Sequence, residues 1–192
     1  MSGRVVEANL FDYFHQRVED ARLARGGRLS SDTGLYLAQL LVDRARTDRR
    51  GPPESTLADL YARAAHAPPT EQARTYRELG DRALYVLGYF AASLRSRTVG
   101  PSYYVAMGAA AYDRVDHVLA VWFSQAFGGV FKELASHFDT AVSVIDAVRE
   151  RHKADRPDDL PFLYDQWLAT GDPTLAARLR AAGLIVGLTP RG

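Results

Sequence analysis

The sequence predicts an all-α protein: a single-domain bundle of seven or eight helices, with a long central helix and a C-terminal helical hairpin. Three observations carry this. Apolar residues recur at spacings of three and four along almost the whole chain, no segment alternates as a strand would, and Ala is abundant while β-branched residues are sparse. With 192 residues, 47% hydrophobic and 24% charged, the chain can bury one sizeable core over 1–192. Only the ends, about 1–4 and 187–192, are expected to be flexible.

The first helix is expected from about Val5 to Arg25, with Val6, Leu10, Phe14, Val18 and Ala21 on one face and Gly26-Gly27 ending it. Ser30-Ser31-Asp32 supply cap-type residues for a second, which turns Leu37, Leu40, Leu41 and Ala45 inward. After Arg49–Pro53, a short helix over about Ser55–Ala65 runs up to Pro68-Pro69. The longest follows, from about Thr70 to Arg97, with a continuous stripe that includes Leu79, Ala83, Leu84, Leu87 and Leu94. Beside it, Arg74, Arg77, Glu78, Asp81 and Arg82 interleave at four-residue spacings and read as an exposed face. The helix from Ser102 to about Phe123 is apolar nearly all round, which places it at the centre of the bundle. Gly128-Gly129 turns the chain into Val130–His152. The hairpin consists of Leu160–Thr170 and a last helix that opens on Asp172-Pro173 and closes at Gly183. Arg49–Pro53 and Lys153–Pro157 are too short to separate domains.

Several function classes drop out on composition. There is no cysteine, so disulfide scaffolds, thiolate metal sites and cysteine nucleophiles are excluded. The net charge of +1 gives no reason to expect a nucleic-acid partner. Two uncharged runs, Thr98–Tyr112 and Val118–Phe131, are shorter than the roughly 18–20 residues that cross a bilayer, and Asp113, Arg114, Asp116 and His117 separate them. The first residues lack the apolar core of a signal peptide, so a cytoplasmic protein without a membrane span is expected. Phosphate-loop, dinucleotide-loop, serine-hydrolase-elbow and HExxH motifs are all absent.

Three stretches resemble a group of bacterial all-helical hypothetical proteins: Tyr76-Arg77-Glu78-Leu79-Gly80-Asp81 with the helix after it, Tyr103–Gly108, and Trp167–Pro173. The resemblance spans about Leu29 to Ile185. It implies a bacterial origin and a shared fold, and no activity.

Asp113-x-x-x-His117 and Glu133-x-x-x-His137 are the most specific chemical feature. Residues four apart share a helix face, so each pair can offer an oxygen and a nitrogen to one metal ion. His117 and His137 are each ten residues from Phe127, which sets them at similar height if the chain turns back there. Asp116 adds a further oxygen. Such pairs also simply stabilise helices, and the chain lacks the Glu-x-x-His motif of di-iron bundles. Tyr103, Tyr104, Met107 and Tyr112 form an aromatic group that can line a ligand pocket, with His117 as the nearest axial donor for haem, or bury as core. The C-terminal hairpin invites a helix-turn-helix reading with Arg178 and Arg180 facing DNA, against which stand Asp155, Asp158, Asp159, Asp165 and Asp172.

Many amphipathic helices with few convergent polar groups point to a non-enzymatic module without a cofactor, which binds another protein or assembles with itself, a homodimer included. Its expected contact surfaces are the first helix, with Phe11 and Tyr13, and the C-terminal pair, with Phe162, Tyr164 and Trp167. The alternatives are a metal- or haem-dependent enzyme at His117 and His137, and DNA binding through the hairpin.

Overall fold

The computed structural model describes the backbone of residues 2–47, 56–94, 100–123, 129–155, 167 and 173–181. Side chains are described within 10–45, 56–90, 94, 100–122, 129–151, 167 and 173–178. Among the described residues there are eight helices and no strand: α1 Ser2–Ala24, α2 Ser31–Thr47, α3 Leu57–Ala65, α4 Pro69–Leu94, α5 Pro101–Phe123, α6 Val130–Ser136, α7 Phe138–Asp155 and α8 Pro173–Ala181. None is long and apolar enough to cross a membrane. The expected helix over Leu160–Thr170 lies outside the described residues except at Trp167, and the C-terminal residues 187–192 lie outside them as well.

The punctuation follows local chemistry. Past α1, Gly26 and Gly27 take φ of +81° and +61°, and the Gly27 N–H reaches the Arg22 carbonyl at 3.1 Å. A side chain would strain that left-handed turn. α3 opens on a reciprocal capping box: Asp59 N–H donates to Thr56 Oγ1 at 3.1 Å, and Thr56 N–H donates to Asp59 Oδ2 at 2.9 Å. α4 bends at Phe90, where φ −127° and ψ 19° leave the helical range.

Contacts gather the chain into two compact units, 1–148 and 149–192. In the first, α1 pairs with α2, α3 with α4, α4 with α5, and α6 with both α5 and α2. α4 contributes Leu79, Ala83, Leu84 and Leu87 to the core, α5 contributes Ala111, Tyr112 and Val115, and α7 contributes Ala141, Val144, Ile145 and Val148. Each such large apolar side chain, fully buried, stabilises by about 1.5–3 kcal/mol. Three glycines set how closely the helices approach, Gly80, Gly88 and Gly108; a Cβ on Gly88 would stand 2.3 Å from Cγ2 of Ile145. A Cβ on Gly80 would stand 2.7 Å from Cε1 of Tyr112, and one on Gly108 would stand 2.3 Å from Cζ of Phe138. The second unit contains α8, with Ala176 buried, and Trp167, 5% exposed.

Three sequence expectations are corrected here. Val130–His152 is broken at His137, whose φ of −124° and ψ of 36° separate α6 from α7, although backbone hydrogen bonds run into and out of it. α5 is not enclosed on all sides: Ser102, Ala106, Ala110, Asp113, Arg114, His117, Ala120 and Val121 are exposed, while Gly108, Ala111, Tyr112, Val115 and Val118 are buried. Alanine is compatible with either environment, so composition did not distinguish the two faces. On α4, Arg74, Arg77 and Glu78 are exposed as expected, but Asp81 and Arg82 are half-buried. Asp81 lies three and four residues before the buried Leu84 and Tyr85 and so shares their face, which carries it into the seam with α2 and α5.

Candidate functional site

The four proposed metal ligands are not brought together. Asp113 and His117 are exposed on α5, and His137 is exposed at the break between α6 and α7. Among the described residues no group of three His, Asp or Glu side chains is placed to share an ion. Glu133 is already engaged. Its Oε2 accepts from the Ser30 N–H at 2.9 Å, from Ser30 Oγ at 2.8 Å and from the Thr33 hydroxyl. Ser30 caps α2, since its Oγ accepts from the Thr33 N–H at 3.2 Å. A carboxylate from α6 therefore closes the start of α2, where the helix dipole favours negative charge. Burial pushes the Glu133 pKa up, but the bonds from Thr33 and Ser30, with the nearby His137, outweigh it and hold the pKa below its usual value.

The densest polar constellation lies elsewhere, where α2, α4 and α5 meet. Asp81 Oδ1 accepts from the Tyr112 hydroxyl at 2.8 Å and also from the Tyr36 hydroxyl. Arg77, one turn before Asp81, donates from Nε to the Tyr36 hydroxyl at 3.1 Å and stands 3.6 Å from Asp81 Oδ2. Its guanidinium also lies over the Tyr36 ring, 5.1 Å from the centroid. Phe131 closes the cluster, 5.4 Å from the Tyr36 ring and 6.0 Å from that of Tyr112, and Phe138 meets Tyr112 at 6.0 Å.

The electrostatics follow from burial. The Asp81 side chain is 16% exposed against 48% for Arg77. Desolvation raises the Asp81 pKa despite the two hydroxyl donors and the charges of Arg77 and Arg44. The pKa values of Tyr36 and Tyr112 are pushed well above the ordinary phenol value, first by burial and then by the Asp81 charge. Both hydroxyls thus stay protonated and both protons are directed at one carboxylate oxygen. Neither is poised as a base or nucleophile, so the arrangement is a lock between helices.

The aromatic group is split between these environments. Tyr112 is fully buried with its hydroxyl on Asp81, whereas Tyr103, Tyr104 and Met107 lie half-buried against the core. Of the expected partner surface, Phe11 and Tyr13 pack against the core, Trp167 is buried, and Phe162 and Tyr164 lie outside the described residues. Among the described residues, the large apolar side chains that are exposed are Leu23, Leu35, Val121 and Trp122. Sequence reading named neither Tyr36 nor Asp81 as a site residue. The available signal was a carboxylate beside the apolar stripe of α4, but partners 45 and 31 residues away leave no local trace. No family model, curated protein or solved structure matches the chain.

Proposed function

We propose that the chain is a non-catalytic helical module that works by protein–protein association. The observation that carries this reading is the pair Val121 and Trp122 at the C-terminal end of α5, 58% and 65% exposed. Adjacent large apolar side chains left in water mark a place where another surface fits, and Trp is among the residues that most often anchor an interface. The polar groups with partly buried chemistry support the same reading, since Asp81, Tyr36, Tyr112 and Glu133 are committed to one another or to a helix cap. Near-neutral charge provides little long-range steering, so recognition rests on apolar contact and local charge pairs.

The test is photocrosslinking in the native host from a photoreactive residue at position 122, with the exposed position 63 on α3 as control. A defined protein adduct from 122, and none from 63, is the expected result. Equal yields from both positions would overturn the reading.

A further inference from the structure

Two arginines on different helices come close together without an acid to pair either of them. Arg44 lies near the C-terminal end of α2 and Arg82 in the interior of α4. The Arg44 guanidinium sits over the ring of Tyr85, 5.8 Å from its centroid, and Tyr85 follows Arg82 by three residues on the same face of α4. Among the described residues no ion pair joins Arg44 or Arg82 to a carboxylate, whereas Arg22 and Arg77 hold Glu19 and Asp81. Helix spacing offers Arg82 an acid in Glu78, one turn before, but Glu78 is exposed and attracts it only at longer range. Asp81 also feels Arg44, yet its oxygens are taken by Tyr36, Tyr112 and Arg77.

The dipole of α2 accounts for a cation at Arg44. It does not account for Arg82, whose Nη1 is buried with no hydrogen-bond partner. Burial lowers the Arg82 pKa, and the like charge of Arg44 lowers it further. Two cations held together against desolvation and repulsion are a pattern that concentrates at binding sites. Tyr104 on α5 also acts electrostatically on Arg82, which sets a third helix beside the pair.

We propose that Arg44 and Arg82 form a binding site for a phosphate dianion, free or carried on a small ester. An oxyanion between the two guanidiniums cancels their repulsion, and it gives the orphaned Arg82 donor an acceptor once that flexible side chain swings onto it. A phosphate group carries about two negative charges and three strong acceptor oxygens, enough for two guanidinium forks, whereas a carboxylate satisfies one. Tyr104 and Trp122 stand near opposite ends of α5, so this site is separate from the association surface and does not depend on it.

The test is isothermal titration calorimetry on the full chain, prepared without phosphate, at pH about 8, where phosphates are dianions. The titrants are inorganic phosphate, phenyl phosphate and acetate at constant ionic strength. Inorganic phosphate is expected to bind one per chain with Kd below about 1 mM. Arg44→Met and Arg82→Met, each checked for unchanged helicity, keep the aliphatic stem and should each weaken binding about tenfold or more. Arg63→Met, which removes an exposed arginine on α3, should leave it unchanged. Phosphate should also raise the melting temperature of wild type but not that of Arg82→Met. Phenyl phosphate that binds more tightly than phosphate marks an ester as the ligand, and equal or weaker binding marks the free ion; both support the site. Absence of saturable binding, acetate that binds as tightly as phosphate, Arg44 and Arg82 variants that bind like wild type, or an equal loss in Arg63→Met would each overturn the proposal.

Discussion

The Tyr112 hydroxyl donates to Asp81 Oδ1 at 2.8 Å, and this bond fastens α5 to α4 beside Gly80, which has no Cβ to hold the Tyr112 ring away. Tyr36 brings α2 to the same oxygen. Replacing Tyr112 by Phe keeps the ring but leaves a buried carboxylate one donor short, an expected cost of about 1.5–3 kcal/mol. Asp81→Asn still accepts from both hydroxyls and removes the desolvated charge, so it should cost less, under about 1 kcal/mol. Urea unfolding of both single variants and the double variant checks this. Additive losses would show that the two residues do not act as a pair.

Asp81 and Glu133 should bend the stability profile in opposite directions. The folded pKa of Glu133 is lowered, so its contribution is present above the unfolded carboxylate value and fades as pH falls through the folded one. The advantage of wild type over Glu133→Gln should therefore shrink between neutral pH and pH about 3. The folded pKa of Asp81 is raised from 3.8, so its penalty is present at neutral pH and disappears on acidification. Wild type should gain on Asp81→Asn over the same range. Unfolding free energies at a series of pH values give both slopes, and slopes of the same sign would contradict the two environments.

Glu133 stabilises the start of α2 from another helix. Thr33→Val removes one of its donors at a fully buried position and should destabilise by about 1–2 kcal/mol. Because the same carboxylate also holds Ser30, hydrogen exchange at the first turn of α2 should rise more than exchange in α4.

Gly108 has no space for a methyl group. Gly108→Ala drives a Cβ into the Phe138 ring, 2.3 Å from Cζ, and should cost about 1–3 kcal/mol in thermal or urea unfolding. Phe138→Leu in the same chain should recover part of that loss, whereas two independent sites would show losses that add.

Arg82 is a charge in a poor position. Its Nη1 is buried without a hydrogen-bond partner, and its pKa is lowered by burial and then by the like charge of Arg44. Arg82→Met keeps the aliphatic stem and removes the orphaned donor. It is expected to leave stability unchanged or raise it by up to about 1 kcal/mol, read as the urea midpoint.

Helix boundaries were the most legible feature of the chain. Gly26-Gly27, Ser30, Pro69 and Pro101 act on their immediate neighbours, so their effect can be read without knowing the fold. The inward stripes of α1 and α4 were legible for the same reason, since Phe14, Val18 and Ala21, or Leu79, Ala83 and Leu87, repeat at the helical period, whereas on α2 Leu37, Leu40 and Leu41 are buried but Ala45, also expected inward, is exposed. His137 was less legible: periodicity continues through it, and only the backbone angles disclose the break.

By itself, the sequence determined that the chain is helical, where most helices start and stop, and the main inward stripes of α1 and α4. All of these depend on interactions within a few residues. Tertiary structure decided which acids were spent and which helix face was left in water. Glu133 went to a cap more than 100 residues away and Asp81 to two tyrosines on other helices, while Ala106, Ala110 and Ala120 of α5 stayed exposed and Ala111 was buried. The physical reason is that a carboxylate takes whichever donors packing brings within 3 Å, and an alanine tolerates burial and exposure almost equally. Neither choice is written in the spacing of neighbours along the chain.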